Sequence, residues 1–249
     1  MKFEEKIKNK YLYKKGYNFF KIIYFIYQFI KSKKILKKKI FYSNWGIDMM
    51  ADDIFKKKDN GIYIDVGCHQ PILNNNTYRL YKRGWTGINI DLDFNTIDMF
   101  DFFRKKDLNI VAAISNKIEE RNLYFFHNRS AINTLSEVQG FKAKEIRKIK
   151  TNTLNNIIEN SKFKNEKIDY ISIDVEGYEL NVLKGFNFKK YKPKLVVLEF
   201  IDTSIKEFYE QKFEKVLSSE IHKFMTNENY KIINWIHDDL VYVPKDLKI

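Results

Sequence analysis

The stretch GIYIDVGCHQPILNNNTYRLYKRGWTGINID, residues 61–91, decides the fold. Residues 62–66 form a short apolar run suited to a buried strand, and Gly67 supplies a tight turn. A helix is expected over about residues 75–83, and residues 87–91 read as a second strand that closes on an acid. A strand, a glycine turn, a helix and a strand ending in a carboxylate make a nucleoside-binding unit. Backbone N–H groups and the helix N-terminus can approach a polar ligand there, and the second acid can grip ribose hydroxyls.

Working outward, the same alternation continues. A helix is expected over about 95–104, a third strand over 109–114, strand-like pieces at 123–126 and 146–151, and a helix at 154–159 behind the capping residue Thr153. IDYISIDVEGYELNVLKG, residues 168–185, reads as a buried strand, an acidic turn and a helix ending at Gly185. LVVLEF (195–200) is a continuous apolar strand, a long helix is expected near 204–227, and residues 230–235 and 240–243 pair as a closing hairpin across 237–239. Continuous apolar strands alternating with helices predict an α/β fold: a mostly parallel central sheet with helices on both faces and a terminal antiparallel hairpin. Residues 123–151 interrupt the alternation and are expected to cover the ligand edge of the sheet as a lid, with the polar loop 130–140 inside it.

The charge is unevenly placed. The chain of 249 residues carries a net +13, and residues 1–45 hold thirteen lysines against Glu4 and Glu5, a net of +11. Residues 46–249 are therefore almost neutral and read as the catalytic body, with 1–45 as a basic, aromatic-rich helical arm joined near 43–46. Within the arm, Phe19, Ile22, Ile23, Ile26, Phe29 and Ile30 recur at helical spacing, and a lysine run follows at 31–39. The apolar run is too short for a membrane span, and no small-residue cleavage site follows it. Packing on the body is the plain reading; an interfacial helix that associates peripherally with anionic lipid is the sharper one. Nucleic acid is a third and weaker partner, because lysine alone says only that phosphate is welcome. The single cysteine, Cys68, excludes an internal disulfide framework and fits a reducing, cytoplasmic setting.

Chemistry concentrates at three strand ends. Asp65 can accept from the amino group of an amino-acid-like ligand, although the same Asp could simply cap a turn, and Gly67 lets the chain turn close by. Asp91 lies 26 residues on, where a ribose-binding acid belongs, with Asp93 as the fallback. No second or third glycine follows Gly67, which argues against the pyrophosphate of NAD or FAD. Asp174 and Glu176 leave a buried strand two apart, so their carboxylates can act as general base, orient an acceptor hydroxyl, or hold a cation such as Mg²⁺. Glu179 falls in a first helical turn and reads as structural. One cysteine and four scattered histidines (His69, His127, His222, His237) assemble no zinc site, so no metal ligand set is assigned.

The set IDVGCHQP, NNTYRLYKRGWTGINID, NTL, TNTLNNII, DYISIDVEGYELNVLKG and LVVLEF resembles the FkbM family of S-adenosylmethionine-dependent methyltransferases over about residues 45–200. The resemblance implies a class I, Rossmann-like methyltransferase fold with the cofactor at the carboxyl ends of the first strands. It implies O-methylation of a carbohydrate or glycan-type hydroxyl, with Asp174 and Glu176 catalytic and with Asp65, Gly67, Cys68, Asn76, Thr77 and Asp91 around S-adenosylmethionine. Asp48, in the upstream Gly-x-Asp element, would border the site. Tyr178 stands where the family often has His, which leaves His69 as the nearest histidine. Two other readings stay open: a nucleic-acid methyltransferase using the basic arm, and a membrane-associated module that keeps the fold without catalysis. Oligomeric state is not legible.

Overall fold

The computed structural model describes residues 17–33, 41–126, 133–135, 142–201 and 211–247. Its main sheet contains β1 (Ile62–Val66), β2 (Thr86–Asp91), β3 (Leu108–Val111), β7 (Tyr170–Ile173), β8 (Leu195–Glu199), β9 (Tyr230–Ile236) and β10 (Asp239–Pro244). The order is β3-β2-β1-β7-β8-β10-β9, with β3 through β8 parallel and β10 antiparallel to both neighbours, as the alternation and the closing hairpin predict. The chain builds outward from β1 to β3 and then returns to the middle to lay down β7. The order thus reverses between β1 and β7, where a crevice opens at the carboxyl ends of the strands.

Both faces of this sheet are covered, which is why its central strands are continuous apolar runs rather than alternating ones. Ile64, Ile88, Ile171, Val196 and Leu240 pack on one side against Ile157, Ile158, Val182 and Leu183. Tyr63, Tyr170, Val197 and Val241 pack on the other against Ile47, Ala51, Phe55, Leu80 and Trp85.

The helices are α1 (Tyr17–Lys33), α2 (Ile47–Ile54), α3 (Tyr78–Lys82), α4 (Phe94–Phe103), α5 (Leu154–Glu159), α6 (Glu179–Lys184), α7 (Phe188–Tyr191), α8 (Phe213–Ser218) and α9 (Glu220–Asn227). Several differ from the sequence expectation. The helix expected from residue 75 starts only at Tyr78, because the Asn75 side chain is committed to Asp65 and to the Thr77 N–H. The long helix expected over 204–227 breaks at Ser219, whose extended backbone lets its Oγ accept from His222 N and start α9 afresh; residues 202–210 lie outside the described residues. Neither α2 nor the short helix α7 is expected from the sequence. Thr153 caps α5 as expected, accepting from Asn156 N at 3.1 Å.

The strand expected over 109–114 divides in two. β3 stays in the main sheet, while β4 (Ala113–Ile114) joins β5 (Glu120–Phe125) and β6 (Glu145–Asn152) in a second, three-stranded sheet of order β4-β6-β5. From it, Thr134 bridges back to Tyr124 and sends its Oγ1 to the carbonyls of Val175 and Glu176, at 3.0 and 3.1 Å. The part of the lid expectation that can be followed therefore does meet the ligand edge. The rest of the polar loop, 130–132 and 136–140, and His127 fall outside the described residues.

Candidate active site

A cavity of about 340 Å³ lies at the sheet's carboxyl edge. It is lined by the ends of β1 (Val66, Gly67), β2 (Ile90, Asp91), β7 (Asp174) and β8 (Glu199), with Ala112 just beyond β3. Gly67 makes this convergence sterically possible. At φ +77° a Cβ there would lie 1.7 Å from the carbonyl oxygen of Asp174, so only glycine lets the β1 and β7 ends meet.

On the β2 side, Asp91 is fixed by its own surroundings. Its carboxylate accepts from His69 N at 3.0 Å and from Asp93 N at 2.8 Å, which ties the glycine loop to the start of α4. Burial pushes its pKa up to about 6 in spite of those two donors. Asp93 is spoken for as the cap of α4, accepting from Asn95 N.

The opposite wall is a cluster of acids. Asp174, Glu176 and Glu199 bring carboxylate oxygens within 4.8 Å of one another. The turn that carries them is held by backbone donors: Glu199 accepts from Glu176 N at 3.0 Å, and Glu179 from Val175 N and Gly177 N at 3.0 and 3.1 Å. That grip keeps Glu176 (φ +56°) and Gly177 (φ +89°) in consecutive left-handed conformations, aiming Glu176 at the cavity. Burial, and then mutual repulsion, push Glu176 up to about 8 and Glu199 up to about 12. Asp174 rises by burial to about 7, opposed by a hydrogen bond with Glu199; it is reached by water through the cavity, which tempers the effect. The hydrogen bond between the two raises Glu199 and lowers Asp174, so Glu199 is the member of the pair that holds a proton more readily.

Of the residues singled out from sequence, Gly67, Asp91, Asp174 and Glu176 line the cavity together, as do the fallback acid Asp93 and His69. Asp65, Cys68, Asn76 and Thr77 are absent from its lining. Asp65 is buried beneath the glycine loop, where its Oδ2 accepts from Thr77 Oγ1 at 2.9 Å and Asn75 Nδ2 at 3.0 Å. Cys68 is buried against Ile97 and Phe100, and Asn76 reaches Ser172 Oγ. Asp48 sits away from the cavity, bonded to Ser43 Oγ and Tyr42 N at the junction with the arm. Glu199, Asp238, Asn44 and Tyr178 line the cavity without having been singled out as site residues. Glu199 carried a usable signal, an acid closing a buried strand as Asp65, Asp91 and Asp174 do. Asp238 did not, since it arrives through the antiparallel return of β10, which sets Asp239 opposite Glu199.

Beneath the site lies a second polar assembly. Arg104, fully buried, donates to Pro71 O (2.8 Å), Asn75 Oδ1 (2.5 Å), Thr77 Oγ1 (3.2 Å) and Tyr63 OH (3.0 Å), with Asp107 Oδ2 at 3.7 Å. The rings of Tyr78, Tyr81 and Phe100 surround its guanidinium at 4.9 to 5.3 Å. It links the middle of the loop that runs from Gly67 to α3, at Pro71, to its end at Asn75 and Thr77.

A family model described as "Methyltransferase FkbM domain" matches residues 65–232, more than half of the chain. No curated protein matches. Among solved structures, the chain is similar to a TehB-like SAM-dependent methyltransferase from Corynebacterium glutamicum, at 11% identity and a TM-score of 0.43, covering 88% of this chain and 96% of that one. It is also similar to a putative RNA methyltransferase from Pyrococcus horikoshii, at 10% identity and a TM-score of 0.39, covering 80% and 82%.

Proposed function

The chain belongs to the FkbM methyltransferase family, and we propose that it transfers the methyl group of S-adenosylmethionine to a hydroxyl oxygen of a carbohydrate or glycan. In this reading residues 46–249 form the methyltransferase body and 1–45 an accessory arm. The observation that carries the cofactor assignment is the charge of the cavity. Six acids line it (Asp91, Asp93, Asp174, Glu176, Glu199, Asp238), and among the described lining residues there is no Lys or Arg. Such a wall suits a ligand bearing a sulfonium and an ammonium, and it disfavours pyrophosphate or a nucleic-acid backbone.

The residues present fit that cofactor. Asp91 would accept from the ribose hydroxyls, Ile90, Leu92 and Ile114 offer apolar contact for the base, and the Gly67 turn leaves room beside them. When bound, S-adenosylmethionine supplies a methyl group already activated by its sulfonium. What remains for the protein is to align the acceptor, exclude water and take one proton. Asp174 or Glu176 would take the proton from the acceptor hydroxyl, and the bound cofactor would supply the methyl group. Glu199, already protonated and bonded to Asp174, holds that carboxylate in place. No step here is routed through Mg²⁺, although the carboxylate oxygens of Asp174, Glu176 and Glu199 lie close enough together to hold a cation.

Support for a sugar acceptor comes from the rim. Trp45 is half-exposed and stacks on His237, with ring centroids 4.1 Å apart, between the cavity residues Asn44 and Asp238. An aromatic platform beside carboxylates is suited to a polyhydroxylated ring.

Asp91→Ala is expected to weaken S-adenosylmethionine binding in calorimetry by about 10- to 100-fold, the worth of hydrogen bonds to a charged group; unchanged affinity in a folded variant would remove Asp91 from the cofactor site. Glu176→Gln is expected to lower turnover by about 100-fold or more, the usual contribution of a general base, with a far smaller loss of cofactor affinity. The acceptor is tested by incubation with methyl-labelled cofactor and extracted glycans and glycolipids, followed by identification of the labelled product. Cofactor binding with no label in any acceptor pool would instead support a non-catalytic module.

A further inference from the structure

The first helix, α1, has two apolar faces. One is used by the body: Tyr24 and Phe25 are buried with Met99 of α4, with Phe20, Ile23 and Phe103 around them, and Lys21 pairs with Asp98. The other points away from it. Phe19, Ile22, Ile26 and Ile30 are 65%, 49%, 48% and 49% exposed, and their spacing of three, four and four residues sets them in one line along the helix. A helix already docked through its inner face gains nothing in water from four large apolar side chains on its outer one.

The sequence that flanks this face is basic. No acid occurs within α1. Residues 1–45 carry the net +11, with six lysines between Lys31 and Lys39 directly after the apolar stripe. Two arms each at +11 repel, which disfavours a second copy of the chain as the occupant. Nucleic acid would meet the lysines but offers no apolar phase to the stripe. Nor does the stripe cross a bilayer, since no helix among the described residues is long and apolar enough to do so. What meets both features at once is a surface that is apolar beneath and anionic on top.

We propose that the outward face of α1 lies in the interface of an anionic phospholipid membrane, with the neighbouring lysines on the headgroups and the methyltransferase body held at the membrane surface by the inner face. The proposal is independent of which acceptor is methylated.

The test is co-sedimentation of the full chain with vesicles of phosphatidylcholine alone or of phosphatidylcholine mixed with phosphatidylglycerol, at low and high salt. The wild type is expected to pellet with the mixed vesicles only, and less as salt rises. Ile22→Glu combined with Ile26→Glu is expected to cut that binding by about tenfold or more, with an unchanged melting temperature. Should that variant melt early, Phe19→Ser combined with Ile30→Ser reads the same face from its two ends. Four results would overturn the proposal: no binding to mixed vesicles; equal binding by wild type and a folded face variant; a lipid-free dimer that the face variant dissolves; or binding to duplex DNA without binding to vesicles.

Discussion

Arg104→Met is expected to destabilise the protein by about 3–5 kcal/mol, the cost of stripping one partner from a buried ionic assembly. The expectation follows from what the guanidinium leaves behind. Asp107 sits against it and also accepts from Tyr63 OH (2.5 Å), Asn89 Nδ2 (2.9 Å) and Gly87 N (2.9 Å), so it stays hydrogen-bonded but loses its countercharge. Asp65 is already pushed up by burial, and Arg104 is the largest influence holding it down. Pro71 O would lose its donor, and Asn75 Oδ1 its shortest one, in a place closed to water. Methionine keeps most of the volume, so a large loss would report the polar network and not a cavity. Arg104→Lys should not restore stability, since one ammonium cannot span Pro71, Asn75 and Thr77 together. Urea denaturation of both variants measures this; a loss below about 1 kcal/mol for Arg104→Met would mean that the network is not what holds the 67–77 loop.

That network marks the limit of what the sequence discloses. The parallel sheet and the cavity edge were legible because strand ends closing on acids, at Asp65, Asp91 and Asp174, are local signals. Arg104 sits in the run DFFRKKD and reads there as an ordinary solvated helix end; only the return of residues 71–77 across it turns it into a core residue. The same limit explains Asp65. A strand-end acid beside a glycine turn suggests a ligand contact, but the pairing of Asp65 with Asn75 and Thr77, ten and twelve residues on, draws its carboxylate under the loop. Asp238 became visible as a site residue only once β8 and β10 were paired side by side. Where a carboxylate ends up depends on which long-range neighbour claims it.

The second large effect concerns pH. The stability of the ligand-free protein is expected to fall as pH rises from about 5 to about 8. The cluster's acids ionise near pH 4 in the unfolded chain, whereas in the fold Asp91 is raised to about 6, Asp174 to about 7, and Glu176 and Asp239 to about 8. Across that window the native state binds more protons than the unfolded state. Stability is thus full below the unfolded pKa and is lost as pH climbs through the folded values. Water entering the cavity screens these groups, so the expected slope is that of one proton, about 1.4 kcal/mol per pH unit. Glu176→Gln removes one titrating carboxyl and its repulsion of Asp174, and should flatten the slope relative to wild type; identical slopes in urea melts across the window would show that the cluster does not share protons. The same imbalance bears on function. Acids held partly protonated in the empty site become ionised once a cation offers compensation, so S-adenosylmethionine should bind with release of protons and more tightly toward pH 8, as calorimetry in buffers of different ionisation enthalpy would read. S-Adenosylhomocysteine, which lacks the sulfonium charge, should release fewer. The repulsion that costs the empty protein stability is then the source of its preference for a positively charged methyl donor.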